Sequence, residues 1–340
     1  MQNKNERFVE LDALRGFAVL MVMSYHYTTK FGSVYGHPSA LPFEISKGYL
    51  GVSLFFMVSG FVIFLTLERV TNYKDFIASR FARLYPAYWV AVILTYTVDS
   101  VFPLPGRVIC RSHALLNLSM LQRYMQIDYL DGCYWTLSLE LAFYTIMLCV
   151  FYAHLLNKMR IISIIWLCSM IVTKTLDTSS ILKFPEILRE SLLLDWANLF
   201  ISGMMFYELW KDKSNMMITN LIIVAALLVE YYVRGWQSAI ICTIFCMAFY
   251  CIIFKVPLFC RLLNNKPLVY LGTISYSLYL LHQNIGYVML RQLYVHRLKP
   301  VVAIGITSAT ILFLASCMTA YIEIPIRRAI SKWHTERRKA

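Results

Sequence analysis

Apolar runs recur along this chain at about 11–29, 49–69, 84–101, 134–155, 161–176, 192–210, 216–233, 236–254, 268–289 and 301–322. A bilayer core about 30 Å thick takes about 20 such residues as a helix. Inside lipid the backbone must satisfy its own hydrogen bonds, which confines spanning segments to helices and closed barrels. The pattern therefore predicts an all-α fold: a polytopic membrane helical bundle of about ten transmembrane helices. Composition agrees, with 59% hydrophobic and 15% charged residues in 340; a soluble domain carries about a quarter charged. The net charge of +13 raises nucleic acid as a partner. The charges fall instead in short gaps between apolar runs and at the C-terminus, with no basic helical stripe or aromatic platform, so a nucleic-acid function is excluded.

Lysine and arginine set the orientation. With the N-terminus inside, the inside segments hold nineteen of them and the outside segments eleven. Both termini are then cytoplasmic, in a bacterial inner membrane. The expected division is a membrane domain over 1–326 and a basic cytoplasmic tail over 327–340. The first run is interrupted by Arg15 and lacks a small-residue cleavage pattern, so it reads as a retained span and not as a signal peptide. The longest outside segment, about 102–133, opens with the turn residues FPLPGR and continues with SHALLNLSMLQRYMQI, 112–127, as an amphipathic surface helix.

Ionisable residues inside such runs are expensive and mark functional sites by default. In LDALRGFAVLMVMSYH, Leu11 to His26, Arg15 and His26 stand eleven residues apart. That is close to three helical turns, so both project from one face, roughly 16 Å apart along the axis. Asp12 lies one turn before Arg15 and is placed to pair with it. The plainer reading has Arg15 snorkelling to the surface and His26 bonding a neighbouring helix. Glu140 lies about two turns into the fourth run, after Trp135. Ser275, Tyr279 and His282 form a stripe on the ninth, and Asp195 starts the sixth. Two histidines and two carboxylates at one depth suit proton transfer to or from a hydroxyl; a polar network joining helices is the alternative. Arg80 and Arg83, one turn apart beside Lys74, suit a phosphate, or they mark only the inside face.

Of nine cysteines most lie within apolar runs, and none has metal-ligand spacing, so no metal is expected. Cys110 and Cys133 share the long outside segment. In an oxidising periplasm they would bridge and tie the surface helix to the fourth span; two free thiols are the alternative.

These residues carry a resemblance. Arg15 and His26 in the setting DALRGFAVLMV resemble the first-helix signature of the acyltransferase 3 family of integral membrane acyltransferases. GVSLFFMVSGF (51–61), RFARLYP (80–86), YWTLSLE (134–140), SYSLYLLH (275–282) and EIPIRR (323–328) are similar to its later motifs, in order along the chain. No extracytoplasmic hydrolase-like domain is evident, so the stand-alone type is expected, whose members resemble surface-polysaccharide acetyltransferases. The resemblance implies an O-acyltransferase that moves an acyl group from acyl-CoA to a hydroxyl of a lipid-linked or cell-surface glycan such as O-antigen. Acetyl-CoA is the first choice of donor, with succinyl as an alternative. It implies His26 as base or transient acyl acceptor, with Glu140 orienting it or sharing its proton. Arg15, held by Asp12, would stabilise the donor, and Arg80 and Arg83 would bind the CoA phosphates. Ser53 and Ser59 fall on the donor path or simply pack. Tyr279, His282 and Trp135 are acceptor-side candidates. A secondary transporter or lipid and glycan carrier is the competing class, and a structural membrane partner a third.

Overall fold

The computed structural model describes residues 8–107, 109–180 and 183–337, and every regular element among them is a helix or helical turn. Besides three short 3-10 turns, the elements in chain order are α1 (Val9–Tyr25), a π-helical turn (His26–Lys30), α2 (Phe31–Tyr35), α3 (Gly51–Arg69), α4 (Tyr73–Val101), α5 (Arg111–Asn117), α6 (Trp135–Tyr152), α7 (Met159–Thr178) and α8 (Glu186–Ser191). There follow α9 (Ala197–Lys211), α10 (Met216–Arg234), α11 (Trp236–Ile253), α12 (Pro257–Leu263), α13 (Lys266–Leu281), α14 (Asn284–Val295), α15 (Pro300–Met318), a second π turn (Thr319–Glu323) and α16 (Ile324–Arg337).

Six helical stretches among the described residues are long and apolar enough to cross a membrane: Gly48–Arg69, Gly132–Tyr152, Leu156–Thr178, Met216–Arg234, Trp236–Ile253 and Pro300–Ile330. The remaining four apolar runs take other forms. The run at 11–29 divides between α1 and the π turn, and that at 84–101 is the second half of the 29-residue α4. The run at 192–210 begins in turns and becomes the 15-residue α9. The run at 268–289 is two helices, α13 and α14, parted at His282 and Gln283. At the C-terminus α16 runs without a break through residue 327, and Arg327 and Arg328 on it are exposed. Residues 338–340 of the expected tail lie outside the described residues.

The chain forms two compact units. The first takes residues 1–18, 52–73 and 139–270. Its centre is α9, buried without interruption from Ala197 to Tyr207. A helix apolar all round belongs inside a bundle, and this one is packed by rings: Phe200 stacks on Phe56 at 4.7 Å and on Phe143 at 4.2 Å, and Phe206 on Phe249 at 4.9 Å. Two glycines bring α9 against α3. A methyl group at Gly203 would stand 1.9 Å from the Met57 carbonyl oxygen, and one at Gly60 would stand 2.1 Å from that of Phe200. Close backbone approach through small residues is how helices associate in lipid, where no hydrophobic drive acts between them.

The second unit takes residues 19–51, 74–138 and 271–340. Its core is aromatic and hydroxylic, with Tyr27, Tyr88, Tyr134, Tyr287 and Phe31 all fully enclosed. Gly286 leaves room for the Tyr27 ring, since a methyl there would stand 2.4 Å from the Tyr27 hydroxyl.

The α3–α9 contact gives a direct test. Gly203→Ala forces the two backbones apart and should lower stability by about 1–3 kcal/mol, the usual cost of overpacking. Thermal unfolding in detergent, followed by loss of the monodisperse peak, reads this. An unchanged midpoint would show that the two helices are not in backbone contact.

Candidate functional site

The second unit holds a histidine pair at a double helix irregularity. The first irregularity is the π turn that ends α1. Such single wide turns recur at functional sites. Here Thr28 turns its hydroxyl back onto the Ser24 carbonyl at 2.7 Å and accepts the Ile45 backbone N–H at 3.1 Å. His26 opens this turn, with Nδ1 3.0 Å from the Val22 carbonyl oxygen.

The second irregularity is the break between α13 and α14. Backbone groups freed at a break within apolar surroundings need partners. The His282 carbonyl receives the Tyr27 hydroxyl at 2.8 Å. The Asn284 N–H, first of α14, is taken by Asp131 Oδ2 at 2.8 Å. The other oxygen of Asp131 accepts the Cys133 N–H at 3.0 Å, so one fully buried carboxylate caps two helical starts. The Asn284 amide donates to Asp99 Oδ2 at 3.0 Å and to the Leu130 carbonyl at 2.9 Å, and its oxygen accepts from Arg107 at 2.5 Å. The Arg107 guanidinium also lies 5.1 Å over the Tyr287 ring.

These two irregularities place His282 Nε2 3.0 Å from His26 Nδ1, the ring centroids 4.8 Å apart. His282 is wholly buried and His26 part-buried. On its far side His282 Nδ1 meets the Tyr279 carbonyl at 2.7 Å. The Tyr279 carbonyl also accepts the Cys133 thiol at 3.3 Å, and the Tyr279 hydroxyl is engaged by Thr136 at 2.9 Å and the Cys133 carbonyl at 3.1 Å. Tyr279 is thus a strut between α13 and the start of α6. Trp135, the first residue of α6, is half-buried.

Arg80 and Arg83 lie on α4 in the same unit. Arg83 forms an ion pair of 2.7 Å with Glu323, which is 2% exposed, and lies 5.7 Å over the Tyr276 ring. Ser277 donates to the other Glu323 oxygen at 3.4 Å and accepts from Thr319 at 2.9 Å. Arg80 Nε donates to Ser79 at 3.2 Å. One of the two guanidinium groups read as phosphate ligands therefore already holds a buried carboxylate.

Other sequence candidates fall in the first unit. Asp12 and Arg15 are half-buried on α1, and Ser53 is buried on α3. The Glu140 carboxylate accepts the Tyr144 hydroxyl and stands 3.5 Å from Ser59 Oγ. Asp195 precedes α9 and pairs with Arg189 at 2.6 Å. A buried group absent from the sequence reading centres on Glu230, which accepts from Asn198 at 2.7 Å and from Arg234 and Ser238.

Two expectations for the long connecting segment are corrected. The helix expected over 112–127 extends only through Arg111–Asn117. Buried Asn117 ends it by donating to the Asp128 carbonyl at 3.0 Å and accepting the Leu130 N–H at 3.0 Å, which turns the chain inward. Cys110 and Cys133 are both free thiols. Cys133 is buried against Tyr279, whereas Cys110 is exposed beside Ser112 at 3.1 Å, a contact that holds its thiol below the ordinary cysteine range.

Asp99, Arg107, Asp131 and Asn284 were missed in sequence. Asp131 carried a usable signal, an aspartate immediately before a glycine and a helical run, the pattern of an N-cap. Among the described residues no group of three or more His, Cys, Asp or Glu is placed to hold a metal ion.

Comparison with known proteins gives a family and several relatives. The family model described as an acyltransferase domain matches residues 8–322. The chain is similar to the O-acetyltransferase OatA of Staphylococcus aureus, at 28% identity over 363 aligned residues covering 94% of this chain. It spans 57% of the length of that relative. It is also similar to ORF330 of Acidianus two-tailed virus, whose name as an acetyltransferase is provisional, at 26% identity over 79% of this chain and 80% of that protein. A shorter likeness, 36% over 98 residues, covers 27% of this chain and 46% of protein 2 in the picA locus of Rhizobium radiobacter. No solved structure matches.

The Arg83–Glu323 pair sets its own test. Removing one partner of a buried pair leaves an uncompensated charge, at about 3–5 kcal/mol. Arg83→Leu should therefore lower the unfolding midpoint in detergent sharply, and adding Glu323→Gln should restore much of it. A single Arg83→Leu variant as stable as the parent would show that the pair does not hold α4 in place.

Proposed function

This chain belongs to the acyltransferase family, and on that premise we propose that it is a membrane O-acyltransferase that uses acyl-CoA to modify a hydroxyl of a lipid-linked or cell-surface glycan, O-antigen being one such glycan. Acetyl is the group favoured, and the name of the Staphylococcus relative supports both acetyl and an oxygen acceptor. The enzyme sits in a bacterial inner membrane with both termini cytoplasmic, as the lysine and arginine bias supports.

The observation that carries this reading is His26 itself: a part-buried imidazole at a π turn, in contact with a second, buried imidazole. As the acceptor oxygen attacks the thioester carbonyl, His26 takes the hydroxyl proton. The carbon–sulfur bond then breaks, and the proton passes to the departing CoA thiolate. A variant of this route, with His26 carrying the acyl group briefly, needs the same unprotonated ring nitrogen. Arg80 and Arg83 are proposed to bind the CoA phosphates, and Arg83 also holds Glu323. Arg15 with Asp12 is proposed for the donor and Glu140 for the path of the proton. Tyr279, whose hydroxyl is engaged by protein groups, supports the site from behind.

Purified protein incubated with labelled acetyl-CoA and extracted glycan tests this. Label should move to the glycan, and His26→Gln, which keeps size but cannot cycle a proton, should abolish the transfer at normal abundance. Arg80→Leu should raise the KM for acetyl-CoA on the order of tenfold or more, for a charge-assisted contact of about 1.5–3 kcal/mol. Uptake of glycan without covalent change would put the protein among carriers instead, and full transfer by the Gln variant would remove His26 as base or acyl acceptor.

A further inference from the structure

The two imidazoles differ in what their nitrogens can do, and the partners decide it. A carbonyl oxygen only accepts, so a ring nitrogen facing one carries the hydrogen. His282 Nδ1 faces the Tyr279 carbonyl at 2.7 Å, so the hydrogen of neutral His282 is on Nδ1 and its Nε2 is a lone pair. His26 Nδ1 faces that lone pair at 3.0 Å and the Val22 carbonyl at 3.0 Å. Both are acceptors, so His26 also carries its hydrogen on Nδ1. His26 Nε2 is left as the basic nitrogen, and among the described residues it has no hydrogen-bond partner.

We propose that His282 is the positioning residue of the transfer reaction, fixing the His26 ring through Nδ1 so that Nε2 faces the acceptor hydroxyl. This rests on the reading of His26 as the base. When Nε2 takes the hydroxyl proton, the imidazolium formed is held by the His282 lone pair facing Nδ1. The His26 Nδ1 proton stays in that bond or shifts to His282 Nε2, and the shift reverses when Nε2 gives its proton to the CoA thiolate. An outer partner that fixes the tautomer and orientation of a reacting histidine is the part a carboxylate plays in hydrolase triads. A histidine serves here because its own Nδ1–H is tied to the backbone. The surroundings are built to hold His282 still: it is fully buried, its N–H bonds the Leu278 carbonyl at 3.1 Å, and its carbonyl receives the Tyr27 hydroxyl at 2.8 Å.

Two substitutions and one spectrum test this. In His282→Leu the His26 Nδ1–H keeps only the Val22 carbonyl and the imidazolium loses its ring partner, so kcat should fall at least thirtyfold while the KM for acetyl-CoA stays within about twofold. In His282→Gln the side-chain oxygen can take the same Nδ1–H, so kcat should return to within about tenfold of the parent. If both variants lose activity equally, or if His282→Leu keeps kcat within twofold, the proposal is overturned. The spectrum is independent of activity, and so of whether the chain is an acyltransferase at all. With ¹⁵N-histidine, the His26 ring signals are those lost in His26→Gln, and the His282 signals those lost in His282→Gln. Both neutral rings should show a protonated Nδ1 and a bare Nε2, the tautomer disfavoured in water. A protonated Nε2 on His26 overturns the proposal even where the Leu variant fails to fold.

Discussion

The hydrogen bond between His26 and His282 depends on a backbone that is interrupted twice. A straight α13 running into α14 would leave no free carbonyl at His282 and no free N–H at Asn284. In an apolar setting such groups are tolerated only where protein fills their needs. Tyr27 and Asp131 fill them, and both come from segments distant in sequence. Asp99, Arg107 and Asn284 extend the arrangement into a buried charged network. A polar group of this size within a membrane unit costs stability unless its members are paired. Its presence at the histidine pair supports the proposal that places the chemistry there.

The histidine site and Glu230 show two uses of buried polarity. Around Glu230 the carboxylate is closed in by Asn198 of α9 and by Arg234 and Ser238 of α10 and α11, which pack against α9. The group is sealed, as a helix-joining network should be. At His26 the ring is part-buried, and Nε2 keeps a lone pair with no protein partner among the described residues.

Much of this was legible in the sequence, and the limits have physical causes. Apolar runs gave the helical class, because in lipid a long apolar segment has few conformations to choose from. The motif from Asp12 to His26 singled out His26 and SYSLYLLH brought in His282, two imidazoles that the structure places 3.0 Å apart. What periodicity could not show was that the run at 268–289 breaks, since HQN carries neither proline nor glycine and the break is imposed by Asp131 from elsewhere in the chain. For the same reason the surface helix was read too long: Asn117 stops it through contacts at 128 and 130 that no local pattern contains. The cysteine bridge failed because Cys133 is drawn inward by Tyr279, a contact 146 positions away. Arg80 and Arg83 look equivalent by spacing, and the Glu323 partner of Arg83 comes from 240 positions away, beyond any local pattern.

The proposed transfer of an acyl group to a glycan hydroxyl requires the imidazole of His26. The most direct measurement is the mass spectrum of surface glycans from cells that carry the intact gene, no gene, or a copy encoding His26→Gln at equal abundance. An acyl increment, acetyl in the first instance, is expected on glycans from the first cells alone, removed by mild alkali as an ester should be. Identical glycan masses in all three, or an increment that persists with the Gln variant, would contradict it.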